Sequence, residues 1–117
     1  MSESDLTGIA ELARRELSYE LCRGKLAEVI EKVLKAELIR LGWVLVKTHD
    51  LEVLAQELLT KDSAMALEFK PLVAAYAEVY FSARYPGFDL EEPKWPELRE
   101  DVAQVAKLLA QVKARIV

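Results

Sequence analysis

The chain has 117 residues, of which 52% are hydrophobic and 31% charged, and its net charge is −4. That length suits a single domain able to bury roughly 65% of its unfolded surface, and the composition excludes a disordered chain. The acidic balance argues against coating nucleic acid by bulk electrostatics, although a local basic patch does not show in a total.

Ser4 or Asp5 caps a first helix, with Leu6, Ile9, Ala13 and Leu17 as its inward stripe. Its end has three readings. Ser18 caps a new helix at Tyr19, or Arg23-Gly24 marks the break, or one kinked helix runs from Asp5 to Leu41. Gly24 weakens the last reading without excluding it, because glycine inside a helix costs about 1 kcal/mol relative to alanine. The stretch around which the chain is organised comes next. Leu26, Val29, Ile30, Val33, Leu34, Leu38 and Leu41 recur at steps of three and four, so one side of a helix is buried. The opposite side carries Glu28, Glu31, Lys32 and Lys35. Glu28–Lys32 and Glu31–Lys35 are spaced as i,i+4 pairs worth ~0.2–0.5 kcal/mol each. Gly42 stops this helix.

Residues 43–47 read as extended or irregular, and Thr48 opens another helix as its N-cap, with Asp50 and Glu52 adding negative charge at the positive end of the dipole. Leu51, Leu54, Leu58 and Leu59 supply the buried face. Lys61-Asp62-Ser63 breaks the pattern, and a short turn leads to Phe69. Pro71 suits the first position of the next helix, where a missing N–H is no loss. That helix buries Leu72, Tyr76, Val79 and Ala83 and ends before Pro86-Gly87. A proline-rich loop follows, and Pro96 opens the last helix, with Glu97, Glu100 and Asp101 in or near its first turn. Leu98, Val102, Val105, Leu109, Val112 and Ile116 form a heptad seam suited to packing within a bundle or across a dimer. No strand pattern appears. The pattern is that of an all-α bundle of four to five helices occupying residues 1–117 as one domain.

Few residues offer chemistry. His49 is the only histidine. It reads as a general base or nucleotide contact, or as a helix-start residue bonded to a neighbouring carbonyl or carboxylate. Arg84-Tyr85-Pro86 reads as a helix end, with arginine at the negative end of the dipole. It also reads as a guanidinium aimed at phosphate beside a ring able to stack on a base. Asp89, Glu91 and Glu92 carry oxygen ligands for a divalent cation, though a solvated acidic loop is the commoner arrangement. Cys22, the only cysteine, is a small core residue and forms no intrachain disulfide. One cysteine and one histidine exclude zinc sites built mainly from those residues, and no metal or cofactor is expected. No phosphate loop or nucleophile elbow is present. The N-terminus has no signal-peptide core and no apolar run spans a bilayer, so the expected location is cytoplasmic.

Glu31-Lys32-Val33-Leu34-Lys35-Ala36, then Thr48-His49-Asp50-Leu51, then Arg84-Tyr85-Pro86-Gly87, in that order and spacing, resemble the HEPN domain family over Tyr19 to Ile116. The resemblance implies an up-and-down helical bundle, usually homodimeric. It also implies a toxin–antitoxin-like pairing with a minimal nucleotidyltransferase of the MNT type. Many members are RNA-cleaving toxins; others bind nucleotides or serve as partner subunits. RNA-cleaving members carry an arginine followed four to six residues later by histidine. Here Arg40, the nearest arginine before His49, is separated from it by eight residues, and no histidine follows Arg84 or Arg99. The family's ribonuclease motif therefore does not carry over, and the chain looks like a binding subunit. The residues expected to meet nucleotide or RNA are Lys32, Lys35, His49, Arg84 and Tyr85. The alternatives are a metal-independent ribonuclease using His49 and Arg84, and a purely structural dimeric scaffold.

Overall fold

A computed structural model describes residues 2–42, 50–61, 65–77 and 94–116. Among them are five helices: α1 (Ser2–Arg14), α2 (Tyr19–Arg40), α3 (Leu51–Thr60), α4 (Ala66–Tyr76) and α5 (Trp95–Ile116). No strand occurs among the described residues. The fold is an all-α bundle, as the periodicities require.

Helix α2 is its axis. It packs against each of the other four helices, while α1 also lies on α5 and α3 on α4. Contact on several sides explains why burial on α2 exceeds one stripe: Cys22, Ala27 and Glu37 are buried along with the expected Leu26, Val29, Ile30, Val33, Leu34 and Leu38, while Leu41, also expected inside, is half-buried just past the helix end. The face expected to be fully solvated is partly covered, since Glu31 and Lys35 side chains are only 18% and 19% exposed. Their ion pair forms as predicted, at 3.1 Å. The other expected pair does not. Lys32 reaches Asp5 of α1 at 3.6 Å, and Glu28 faces Lys25 at 3.8 Å. Helix α1 lies along that flank and supplies a carboxylate that α2 alone lacks.

The end of α1 settles the three readings in favour of a break before Tyr19, leaving Gly24 inside α2. The turn is a Schellman motif. The Leu17 N–H donates to the Leu12 carbonyl at 2.9 Å, and the Glu16 N–H donates to that of Ala13 at 3.1 Å. Glu16 and Ser18 both adopt left-handed backbone, with φ of 54° and 56°. Ser18 holds the N-cap position but its side chain makes no cap bond. Leu17, expected inside, is 48% exposed, because the helix phase that would bury it ends at Arg14. At the other end of α2, Gly42 has φ 89° and its N–H donates to the Ile39 carbonyl at 3.0 Å, which is the glycine stop expected there.

Three further expectations change. The N-cap of α3 is Asp50, not Thr48: its Oδ1 accepts from the Glu52 N–H at 2.9 Å and the Val53 N–H at 3.4 Å. Thr48 lies outside the described residues. Leu51, Leu54 and Leu58 are buried, but Leu59 is 46% exposed, since it sits one residue off a stripe covered only by α2 and α4. Pro71 lies inside α4 rather than at its start. It is exposed, and the carbonyl it leaves without a donor, that of Leu67, belongs to a residue that is itself exposed and open to water. Leu72 and Tyr76 are buried as expected; Val79 and Ala83 lie outside the described residues.

Helix α5 begins at Trp95, one residue before Pro96. It antiparallels α1 through Arg99–Glu16 at 2.7 Å, and antiparallels α4 through Tyr76–Asp101 and Lys107–Glu68. Leu98, Val102, Val105, Leu109 and Val112 are buried inside the protomer, joined by Leu108. The described part of the heptad seam thus packs within this bundle.

Candidate functional site

A groove of about 340 Å³ runs beside the first half of α2. Its floor is Gly24 and Ala27, spaced by one helical turn, and Glu28, Glu31 and Lys32 extend the same side along α2. The far wall comes from the start of α3 at Leu51 and the end of α4 at Tyr76 and Ala77. Helix packing creates the concavity. Antiparallel α3 and α4 bring a helix start and a helix end together against α2, and Gly24 leaves room where a side chain would stand. A Cβ at Gly24 would meet nothing within 4 Å among the described residues.

The charges along the groove are already engaged. Glu28 faces Lys25, Glu31 is paired with Lys35, and Lys32 with Asp5. The paired charges cancel, so the described rim offers carboxylate oxygens as acceptors and one ammonium as donor without a strong net field.

Behind the groove lies a polar and aromatic cluster joining α2, α4 and α5. The Tyr76 hydroxyl donates to Asp101 Oδ2 at 2.7 Å. The Arg23 guanidinium lies 5.3 Å from the Tyr76 ring centroid and 5.9 Å from that of Tyr19, and its Nη2 donates to the Ala75 carbonyl at 3.0 Å. Arg23 thereby satisfies a carbonyl in the last turn of α4 and places positive charge at the negative end of that dipole. Tyr19 meets Trp95 edge to face, with centroids 5.2 Å apart. Burial, then the hydrogen bond to Asp101, pushes the Tyr76 phenol far above its ordinary range, so it remains a proton donor. Burial also raises the Asp101 carboxyl, with Glu97 and Glu100 adding to the rise against the opposing pull of Tyr76 and Arg23.

A second ionic feature sits near the other end of α2. Glu37 is wholly buried and accepts from Arg40 Nε at 2.6 Å and Nη2 at 3.2 Å. This forked pair raises the Arg40 guanidinium further above its ordinary range. Cys22 is buried, its Sγ donates to the Leu17 carbonyl at 3.6 Å, and burial raises its thiol, as fits a core residue rather than a nucleophile.

Of the residues expected to meet nucleotide or RNA, Lys32 lines the groove and Lys35 lies on the same helix, tied to Glu31. His49, Arg84 and Tyr85 lie outside the described residues, as do Asp89, Glu91 and Glu92. Sequence reasoning missed the Arg23–Tyr76–Asp101 cluster and the open space at Gly24. Asp101 carried only a helix-start signal, and its partner is 25 positions away, beyond any local pattern. Gly24 did carry a signal, a glycine inside a sustained helical periodicity, but it pointed equally to a helix break.

Among the described residues, no cluster of three or more histidine, cysteine, aspartate or glutamate side chains is arranged to hold a metal ion, and no helix is long and apolar enough to cross a membrane. No curated protein and no solved structure matches the chain significantly. A sequence model of the HEPN domain does match, over residues 2–114. This span takes in α1, which the motifs alone had not reached. With an all-helical bundle and a family match across nearly its full length, the chain belongs to the HEPN domain family.

Proposed function

We propose that this HEPN chain is a binding subunit rather than a ribonuclease. It associates with nucleotide or RNA and forms a homodimer. It partners a minimal nucleotidyltransferase of the MNT type in a toxin–antitoxin-like pair. The observation that carries this reading is the sole histidine, His49, with no arginine four to six residues before it and no histidine after Arg84 or Arg99. Family ribonucleases need that pair to move a proton and hold phosphate charge. The site proposed for nucleotide or RNA comprises Lys32, Lys35, His49, Arg84 and Tyr85. Chain connectivity supports it: His49 is two residues before Leu51, and Arg84 is seven after Ala77, and both Leu51 and Ala77 line the groove that Lys32 borders.

The test is a cleavage assay on mixed structured RNA, with and without EDTA, beside His49→Ala and Arg84→Ala. Folded protein that leaves the RNA intact is the expected result. Metal-independent cleavage abolished by both substitutions would instead make this a ribonuclease with an unusual site. Light scattering is expected to give a dimer mass and co-purification a nucleotidyltransferase. A strict monomer without a partner would overturn this reading, and a dimer that binds neither partner nor nucleotide would leave only a structural dimeric scaffold.

A further inference from the structure

Glycine is a poor helix former, and a helical glycine usually marks a close approach or a special backbone angle. Gly24 marks neither. It sits within the regular α2 helix, its φ is not positive, and an added Cβ would meet nothing within 4 Å. Among the described residues nothing calls for glycine here. What its missing side chain does is keep the floor of the 340 Å³ groove open, a volume within the ordinary range of small-molecule sites.

The chemistry of the groove restricts what fills it. Glu28 and Glu31 present carboxylate oxygens, Lys32 a single ammonium, and Ala27 and Leu51 an apolar floor and wall. The rim charges pair off with Lys25, Lys35 and Asp5, so no net charge draws a phosphate onto the floor over Gly24 and Ala27, and the half-exposed Lys32 at the rim is the cation a phosphate would meet. The groove suits an uncharged, donor-bearing group whose amino or hydroxyl hydrogens point to the carboxylates. We infer that Gly24 opens a nucleoside subsite: the base and sugar of a nucleotide lie over Gly24 and Ala27, between Glu28 and Leu51, and the phosphates point out of the groove toward the Lys32 side. This inference rests on the nucleotide-binding reading above and assigns its uncharged half.

The experiment titrates adenosine, guanosine, AMP and GMP into the native protein and into Gly24→Leu and Lys32→Ala, by calorimetry and by amide chemical-shift mapping. Leucine at position 24 favours the helix, and its Cβ meets no atom within 4 Å among the described residues, so the backbone accepts a side chain there; the melting temperature checks that the variant folds. Expected is a loss of nucleoside and nucleotide binding alike by about tenfold or more in Gly24→Leu, as for a filled subsite. Lys32→Ala is expected to weaken the nucleotides while leaving the nucleosides unchanged. Shifts are expected at Gly24, Ala27 and Leu51 with the nucleosides alone. Nucleotides that bind the parent and folded Gly24→Leu equally would overturn the subsite while sparing the binding reading. No binding of any of the four ligands to the parent would overturn both.

Discussion

At the residue scale, the informative side chains are those whose local signal is weakest. Tyr76 donates to Asp101 from a buried position. Tyr76→Phe removes the donor and leaves a partly buried carboxylate short of a partner, and a loss of about 1.5–3 kcal/mol in denaturant unfolding is expected. Asp101 titrates above the ordinary aspartate range, so the folded chain binds that proton more tightly than the unfolded chain. Stability from this group is therefore greatest below its unfolded pKa and falls as pH rises through the raised folded value. Asp101→Asn keeps an acceptor for Tyr76 and removes the titration. Melting temperature followed across the mildly acidic range should show this component of decline in the parent and not in the variant; parallel curves would refute the assignment. The left-handed turn gives a prediction of opposite sign. Ser18 bears φ 56° without using its side chain as a cap. Ser18→Gly relieves about 1–2 kcal/mol of left-handed strain against glycine's entropy cost, so a net gain of about 0.5–1 kcal/mol is expected.

At the element scale, caps and interruptions decide where helices lie. The Asp50 carboxylate takes two N–H groups of α3, and Asp50→Ala should cost about 0.5–2 kcal/mol. Helix α4 contains Pro71 on its exposed side, leaving the Leu67 carbonyl to water. Pro71→Ala restores that hydrogen bond, and a gain of about 1–3 kcal/mol is expected in chemical denaturation. Unchanged or reduced stability would mean that the proline's fixed backbone angle offsets the lost hydrogen bond. Helix ends were the least legible part of the sequence for a physical reason. Apolar periodicity reports a buried face and continues through a turn whenever the next residue is apolar, as at Leu17. It says nothing of which polar side chain near a boundary reaches the first free N–H groups, so Thr48 was read as the cap and Asp50 only as a first-turn charge, whereas Asp50 takes the cap position.

At the scale of the whole molecule, α2 is the element on which the others depend. Leu34 is fully buried near its centre, and Leu34→Ala should cost about 2–5 kcal/mol, the range for a cavity that cannot collapse. A smaller loss would place the core's tightest packing elsewhere. The central position of α2 also explains why the charges on its far side are not an idle solvated face. Glu31 and Lys35 are mostly covered, and Glu37 is buried with Arg40 as its forked partner. The seam of α5 is buried within this chain over its described length, so the homodimer proposed above would have to use other surface than Leu98, Val102, Val105, Leu109 and Val112.

Helix content, the buried stripes of α2 and α5, and the glycine stop at Gly42 were determined by the sequence alone. Each follows from a spacing or a backbone preference that acts within a few residues. The order of motifs from Glu31 to Gly87 likewise carried the family, since order and spacing survive without coordinates. What only the tertiary structure decided is everything that joins residues distant in the chain: Lys32 turning to Asp5, Arg23 closing the end of α4, Tyr76 meeting Asp101, and the groove that opens over Gly24. Those contacts depend on how α1, α3, α4 and α5 lie around α2, and helix periodicity specifies which face of a helix is buried but not which neighbour buries it.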